Sequence, residues 1–278
     1  TVPFNSNYDY SINNIEISGS YFTIKGLHFS GGNAGIRIIS GDHITLEDNE
    51  IYGTGNNAIR MNDATTDSFT IRRNNIHHTG LYTLGVTEGE GMYVGCNYAT
   101  CIAKNHIIEN NYIHHLRGTS AGGNDGIEVK VGSYNNIVRN NVIHDTIIGT
   151  RYPCIFVYGG GAGVNIVEGN VMWNCGEAIY AVSDAVVRNN IIFNSDNNIN
   201  SYPHSQVAQM KNVTIVHNTL YGGPKCMYIR WSSATNMTLA NNAIYCEGST
   251  ALDATGLSGP TITVRSNYVA GSGATIDN

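Results

Sequence analysis

The sequence predicts an all-β chain wound as a right-handed parallel β-helix, one solenoid domain of about ten coils over residues 1–278. Three observations predict it: an anchor motif that recurs along the chain, a second short strand after each anchor, and a composition rich in turn formers.

The anchor reads apolar-x-x-Asn-x-apolar. It occurs as LEDNEI at 46–51, IRRNNI at 71–76, IENNYI at 108–113, VRNNVI at 138–143 and VEGNVM at 167–172. VRNNII (187–192), IVHNTL (215–220), LANNAI (239–244) and VRSNYV (264–269) continue it, and IKGLHF (24–29) is a first copy with Leu27 in the Asn place. The anchor asparagines are Asn49, Asn74, Asn111, Asn141, Asn170, Asn190, Asn218, Asn242 and Asn267, spaced by 20 to 37 residues. A fixed anchor with a variable period fits coils whose turns differ in length. Stacked asparagines could bond from coil to coil and satisfy amides that burial would otherwise leave unpaired.

The second strand reads small-apolar-x-apolar: GIRI (35–38), AIRM (58–61), GMYV (91–94), GIEV (126–129), CIFV (154–157), AIYA (178–181) and CMYI (226–229). Its apolar pair must face the core and the residue between them must face out, because strand side chains alternate. The residue after the first apolar anchor supports the register independently. It reads Lys25, Glu47, Arg72, Glu109, Arg139, Glu168, Arg188, alternating in sign. Coils ~4.8 Å apart would make this an exterior ladder of opposite charges, read here as structural.

Composition agrees and limits function. Of 278 residues 32 are Gly, only 13% are charged and Asn recurs throughout, a balance that suits tight turns. The net charge of −6 gives no bulk attraction to nucleic acid or anionic membranes. No apolar run approaches the roughly 18–20 residues of a helical membrane span. Neither partner is expected, and the chain is expected to be a monomer. The first residues show no signal-peptide pattern, so the chain is expected to begin after processing or at an arbitrary boundary. Six cysteines without a CxxC pair suit disulfides and an oxidising, secreted or periplasmic setting. Cys96–Cys101 are near in sequence, while Cys154–Cys175 and Cys226–Cys246 are one coil apart, so these pairings are expected.

Stacking the second strands gives one outward column of Arg37, Arg60, Tyr93, Glu128, Phe156, Tyr180, Asn200 and Tyr228. Two residues on runs another: Ile39, Asn62, Gly95, Lys130, Tyr158, Val182, Tyr202 and Arg230. At the preceding corner sit Asn57, Glu90, Asp125, Pro153 and Glu177. The middle of this sheet therefore gathers charges and aromatic faces on which sugar rings can stack. The loops 79–90, 95–105, 115–124 and 145–153 flank the same place, as functional loops on rigid scaffolds do. A polysaccharide partner is expected there. Lys130 and Glu128 read either as an exposed ion pair or as part of an active site. As an outward residue, Lys130 is expected to be exposed and dispensable for folding. His77, His114 and His144 form a column on a different strand, which reads as a structural ladder rather than a metal site.

The whole chain resembles the right-handed β-helix proteins that include pectate lyases and related polysaccharide lyases. The opening GSYFTIKGLHFSGGNAGIRI (19–38) is similar to the first coil of polysaccharide lyase family nine. In that family a DDGxD-type motif binds calcium, and Asn124-Asp125-Gly126-Ile127-Glu128 looks like a relaxed version of it. The family's catalytic lysine lies in a GNGFKLG-type strand. Here the strand is CIFVYGG, with Phe156 in the outward place, and Lys130 lies on the candidate metal strand itself. The spacing also differs from that of the lyases resembling chondroitinase B.

The resemblance implies a calcium-assisted lyase of a uronic-acid polysaccharide. Removing the proton beside a uronate needs its carboxylate neutralised, by Ca²⁺ or Arg. Glu90, Asp125 and Glu128 supply the hard oxygens that calcium prefers. Lys130 would take the proton, with Arg151 and Tyr158 completing the catalytic set and Tyr93 or Tyr158 protonating the leaving oxygen. Arg37, Arg60, Tyr93, Phe156 and Tyr180 would bind the chain of sugars. Two alternatives are a glycoside hydrolase using paired carboxylates among Glu90, Asp125 and Glu128, and a non-catalytic carbohydrate-binding β-helix.

Overall fold

The structure is a computed structural model that describes residues 12–81, 88–118, 123–146, 151–246 and 250–270, together with the backbone of 276–277. Parts of the long loops expected to flank the site (82–87, 119–122 and 147–150) lie outside the described residues. The described residues form three parallel sheets of 13, 10 and 10 strands, each coil contributing strands to all three in turn. Among the described residues the only helical segment is a 3₁₀ turn at Asn97–Ala99.

The expected register holds throughout. The second strands build the first sheet, where Arg37 pairs with Arg60, Arg60 with Tyr93, Tyr93 with Glu128, Glu128 with Phe156, Phe156 with Tyr180 and Tyr180 with Asn200. The charge column occupies the second sheet, Glu109 lying beside Arg72 and Arg139. Its ion pairs link Lys25 to Glu47 at 3.0 Å, Arg72 to Glu47 at 2.6 Å, Arg139 to Glu109 at 2.7 Å and Arg188 to Glu168 at 2.6 Å. Strands following the anchor asparagine form the third sheet, for example Asn75–His77, Tyr112–His114 and Val142–His144. Each coil sends an apolar residue inward from every sheet. Ile59, Ile71 and Ile76 do so in one coil, and Ile127, Val138 and Ile143 in another, all essentially fully buried.

The turn between the second and third sheets shows why the anchor is Asn. The residue before it takes a left-handed conformation, as in Asp48, Arg73, Asn110, Asn140 and Asn189, with φ between 53° and 56°. Such residues are short, polar or glycine where possible. The next residue, the anchor, points inward. Asn141 Oδ1 accepts from the backbone N–H and the side-chain amide of Asn111 at 2.9 and 3.0 Å. Its own amide donates to Ile108 O and to Asn170 Oδ1, each at 3.0 Å. The same pattern runs from Asn49 to Asn267. Leu27 starts the stack by donating its backbone N–H to Asn49 Oδ1.

A second, shorter ladder stands five residues before three of the anchors and was not anticipated. His106 N donates to Asn136 Oδ1, and the Asn136 amide donates to Asn165 Oδ1, both at 3.0 Å. Phe69 N donates to His106 Nδ1 at 3.0 Å, and burial drives the imidazole down to about 3, keeping it neutral. All three expected disulfides form: Cys96–Cys101, Cys154–Cys175 and Cys226–Cys246.

Candidate active site

The outward face of the first sheet carries a cleft of about 390 Å³, lined among others by Glu90, Tyr93, Asp125, Glu128, Lys130, Arg151, Phe156, Tyr158 and Tyr180. Strand alternation puts Tyr93, Glu128, Phe156 and Tyr180 on that face, with Lys130 and Tyr158 two residues further along. Small residues at the strand starts let the coils close up. A Cβ on Gly126 would stand 2.4 Å from the carbonyl oxygen of Cys154, and one on Gly123 would stand 2.1 Å from Glu90 Oε1.

Outward does not mean exposed here. Glu90, Asp125, Glu128 and Lys130 are 3–5% exposed, and Tyr93, Phe156, Tyr158 and Tyr180 are equally covered. This corrects the expectation of a solvent-facing Lys130. Its ammonium is ion-paired with Glu128 Oε1 and lies 4.3 Å from the centre of the Tyr93 ring and 5.1 Å from that of Tyr158. The Tyr158 hydroxyl donates to the same Glu128 oxygen at 2.9 Å. Glu128 Oε2 and Asp125 Oδ1 are buried with no hydrogen-bond partner among the described residues.

Burial and mutual repulsion raise the acids. Glu90, desolvated and facing the charges of Glu128 and Glu88, is pushed up to about 8. Desolvation, then Glu128 and Glu90, lift Asp125 well above the carboxylate range, and desolvation also raises Glu128 although Lys130 opposes it. Burial works against the charge on Lys130, but Glu128 and Tyr93 outweigh it and hold the amine above its ordinary value. Desolvation lifts the Tyr93 phenol to about 12. Burial, then the charge of Glu128, raises that of Tyr158 further.

The floor towards the C-terminal coils is aromatic. Phe156 stacks on Tyr158 and Tyr180 at 3.9 and 4.4 Å between ring centres, and Tyr180 on Tyr202 at 4.1 Å. Arg37 and Arg60 stand apart from this cleft. Arg37 makes a two-pronged contact with Asp63, and the Arg60 guanidinium donates to Asn62 Oδ1 at 2.8 Å.

Sequence reasoning missed Glu88, Asn97, Tyr152, His204 and Gln206, which also line the cleft. His204 packs edge-on to Tyr158 at 4.7 Å, and burial lowers its imidazole below the usual value. Gln206 joins two walls far apart in sequence, accepting from Tyr98 N at 3.1 Å and donating to Asn97 Oδ1 at 3.3 Å. No periodicity marks these residues, since they sit on irregular turns brought in by the fold.

Calcium binds six to eight oxygens at roughly 2.3–2.6 Å, so its ligand atoms crowd within about 5 Å of one another. The expected donors are right in type. Among the described residues, however, the one set of three His, Cys, Asp or Glu ligand atoms all within 4.8 Å of each other is His115, His144 and Asp145, on the third sheet. Glu90, Asp125 and Glu128 do not close on one point as arranged, and Glu128 already has Lys130 for a counter-charge. The cleft thus offers an amine, a phenol, acids raised by burial, a rim arginine and a stacking floor.

No curated protein matches the sequence. Among solved structures, the fold is similar to an alginate lyase from Paenibacillus sp. str. FPU-7, with a TM-score of 0.60 and 22% identity over 75% of this chain and 74% of the other. It is also similar to a tailspike protein double mutant of E. coli bacteriophage HK620 in complex with pentasaccharide (TM-score 0.56, 9% identity), covering 97% of this chain. The chain spans about half the tailspike's length, 54% of it. Both likenesses speak for the fold. The family model described as "Right handed beta helix region" matches residues 13–244, and the chain belongs to that family.

Proposed function

We propose that the protein is a lyase that cleaves a uronic-acid polysaccharide by β-elimination, with Lys130 as the base. The observation that carries the reading is the Lys130 amine held against Tyr93, Tyr158 and Glu128 on the floor of one buried cleft. Elimination needs a base for the proton beside the sugar carboxylate, a group that neutralises that carboxylate, and an acid for the departing oxygen. Lys130, once it has lost its proton, takes the first task. Arg151, which lines the cleft, neutralises the carboxylate. Tyr93, held protonated to about 12, hands a proton to the leaving oxygen. Tyr158 is committed to Glu128 and orients the pair. Phe156 and Tyr180 give neighbouring sugars flat faces to stack on. The fold shared with an alginate lyase supports a uronate polymer as substrate, and three disulfides support an oxidising, extracytoplasmic setting.

The test is to incubate the protein with alginate and other polyuronates, with and without chelator. Both unsaturated product, by ultraviolet absorbance, and new reducing ends are measured. Unsaturated product that persists under chelation is expected. Reducing ends without ultraviolet absorbance would instead favour hydrolysis by the paired carboxyls, a reading encouraged by the glycan-bound tailspike of like fold. Binding without either product would make the cleft a carbohydrate receptor.

A further inference from the structure

We propose that His115, His144 and Asp145 form a zinc-binding site on the third sheet that pins two adjacent coils together. The site arises from the turn that follows each third-sheet strand. His78, His115, Asp145 and Asn174 occupy equivalent positions in successive coils, all left-handed with φ between 51° and 56°. Their side chains therefore stack in a column beside the outward column of His77, His114, His144 and Trp173. His77, His114 and His144 are the ladder expected from sequence, and Trp173 extends it, with ring centres at 4.9, 5.4 and 4.1 Å.

Where the two columns meet, ligand atoms converge. His144 Nδ1 lies 2.7 Å and His115 Nε2 3.4 Å from the same oxygen, Asp145 Oδ2, and all three ligand atoms lie within 4.8 Å of each other. A tetrahedral zinc with bonds of about 2.0–2.1 Å sets its ligand atoms about 3.3 Å apart. The His115–Asp145 spacing already matches. The His144–Asp145 contact has to open by about 0.6 Å, as a hydrogen bond gives way to two metal bonds. Two imidazoles and a carboxylate suit zinc, with water in the fourth place, and the side chains of His115 and Asp145 are open to solvent at 41% and 32%.

The supporting contacts are those of a built site. His144 Nε2 meets the Tyr112 hydroxyl at 2.9 Å, which leaves Nδ1 for the metal. The Asn174 amide donates to Asp145 Oδ1 at 3.0 Å, which aims Oδ2 at the two rings. The His144 ring is held between His114 and Trp173, and the His115 ring stacks on His78 at 5.5 Å. Such outer contacts orient metal ligands and raise affinity. With zinc on Nδ1, the neutral His144 imidazole carries its one ring proton on Nε2, where it donates to the Tyr112 hydroxyl oxygen.

The experiment is calorimetric titration of the chelator-stripped protein with Zn²⁺, with thermal unfolding alongside. One zinc per chain and a rise in Tm are expected. His115→Ala and Asp145→Asn should each weaken binding by roughly a hundredfold or more, and Asn174→Ala by about ten- to a hundredfold. His28→Ala should bind as wild type does, although His28 also faces a carboxylate, Glu50, at 2.6 Å. Circular dichroism confirms that each variant is folded. Failure of the wild type to take zinc, unchanged affinity in folded His115→Ala and Asp145→Asn, or an equal loss in His28→Ala would each overturn the site.

Discussion

Lys130→Met tests the candidate active site through stability as well as turnover. The substitution keeps the bulk of the side chain and removes its charge. Lys130 and Glu128 are 5% and 4% exposed, so the variant leaves a buried carboxylate whose one remaining hydrogen-bond partner among the described residues is the Tyr158 hydroxyl. Breaking a buried pair from one side costs about 3–5 kcal/mol, against about 0–1 kcal/mol for an exposed pair. The sign with pH follows from Glu128, whose folded-state value already stands above its ordinary one and rises further without the lysine. Such an acid destabilises the fold above its unfolded value and ceases to do so as pH falls and it takes up a proton. Urea unfolding should therefore show a loss of about 3–5 kcal/mol at pH 8, shrinking to about 1 kcal/mol near pH 5. Lys130→Met/Glu128→Gln should recover most of the stability at pH 8, because no charge is stranded and Gln still accepts from Tyr158. It should remain without lyase activity. A loss below about 1 kcal/mol at pH 8, or no recovery in the double variant, would refute the buried-pair argument.

Three further outcomes are expected. Asn141→Ala removes four hydrogen bonds from the middle of the ladder and should cost about 3–5 kcal/mol in urea unfolding. Asn267→Ala at the ladder's end should cost less, and equal losses would argue against coil-to-coil stacking as the cause. Glu90→Gln should gain on wild type by on the order of a few kcal/mol between about pH 4.5 and pH 8. The buried acid is held at about 8, so wild type loses stability across that window; a Tm difference that does not vary with pH would contradict this. Because Lys130 is held above its ordinary value, kcat/KM on a polyuronate should climb with pH through the alkaline range. A profile already level from neutrality upward would point to another base, such as His204, which also lines the cleft and whose imidazole burial lowers.

Periodic features are legible in the sequence. The anchor asparagines, the sign-alternating column and the outward rows of the first sheet each follow from a repeat whose strands can pair in only one register without turning apolar residues to solvent. That logic placed Tyr93, Glu128, Phe156 and Tyr180 in one row, set Lys130 and Tyr158 in the next, and paired the cysteines. Alternation fixes the side of the sheet on which a residue stands, but not what lies over it. Lys130 points outward as expected and is nevertheless buried, because the cleft walls pack over it. Arg37 and Arg60 share the outward row yet are engaged by Asp63 and Asn62.

The sequence by itself determined the solenoid and its register, which depend on spacings that recur along the chain, and its three disulfides, which join cysteines near in sequence or one coil apart. Only the tertiary structure decided the chemistry of the cleft and the histidine–aspartate cluster on the third sheet. Gln206 reaches the Asn97–Ala99 turn across 109 residues of chain, and His115 meets Asp145 only because left-handed turns stack from coil to coil. Proton affinities depend on the local dielectric and on nearby charges, so the raised acids and the held lysine emerge only when the walls close over the sheet.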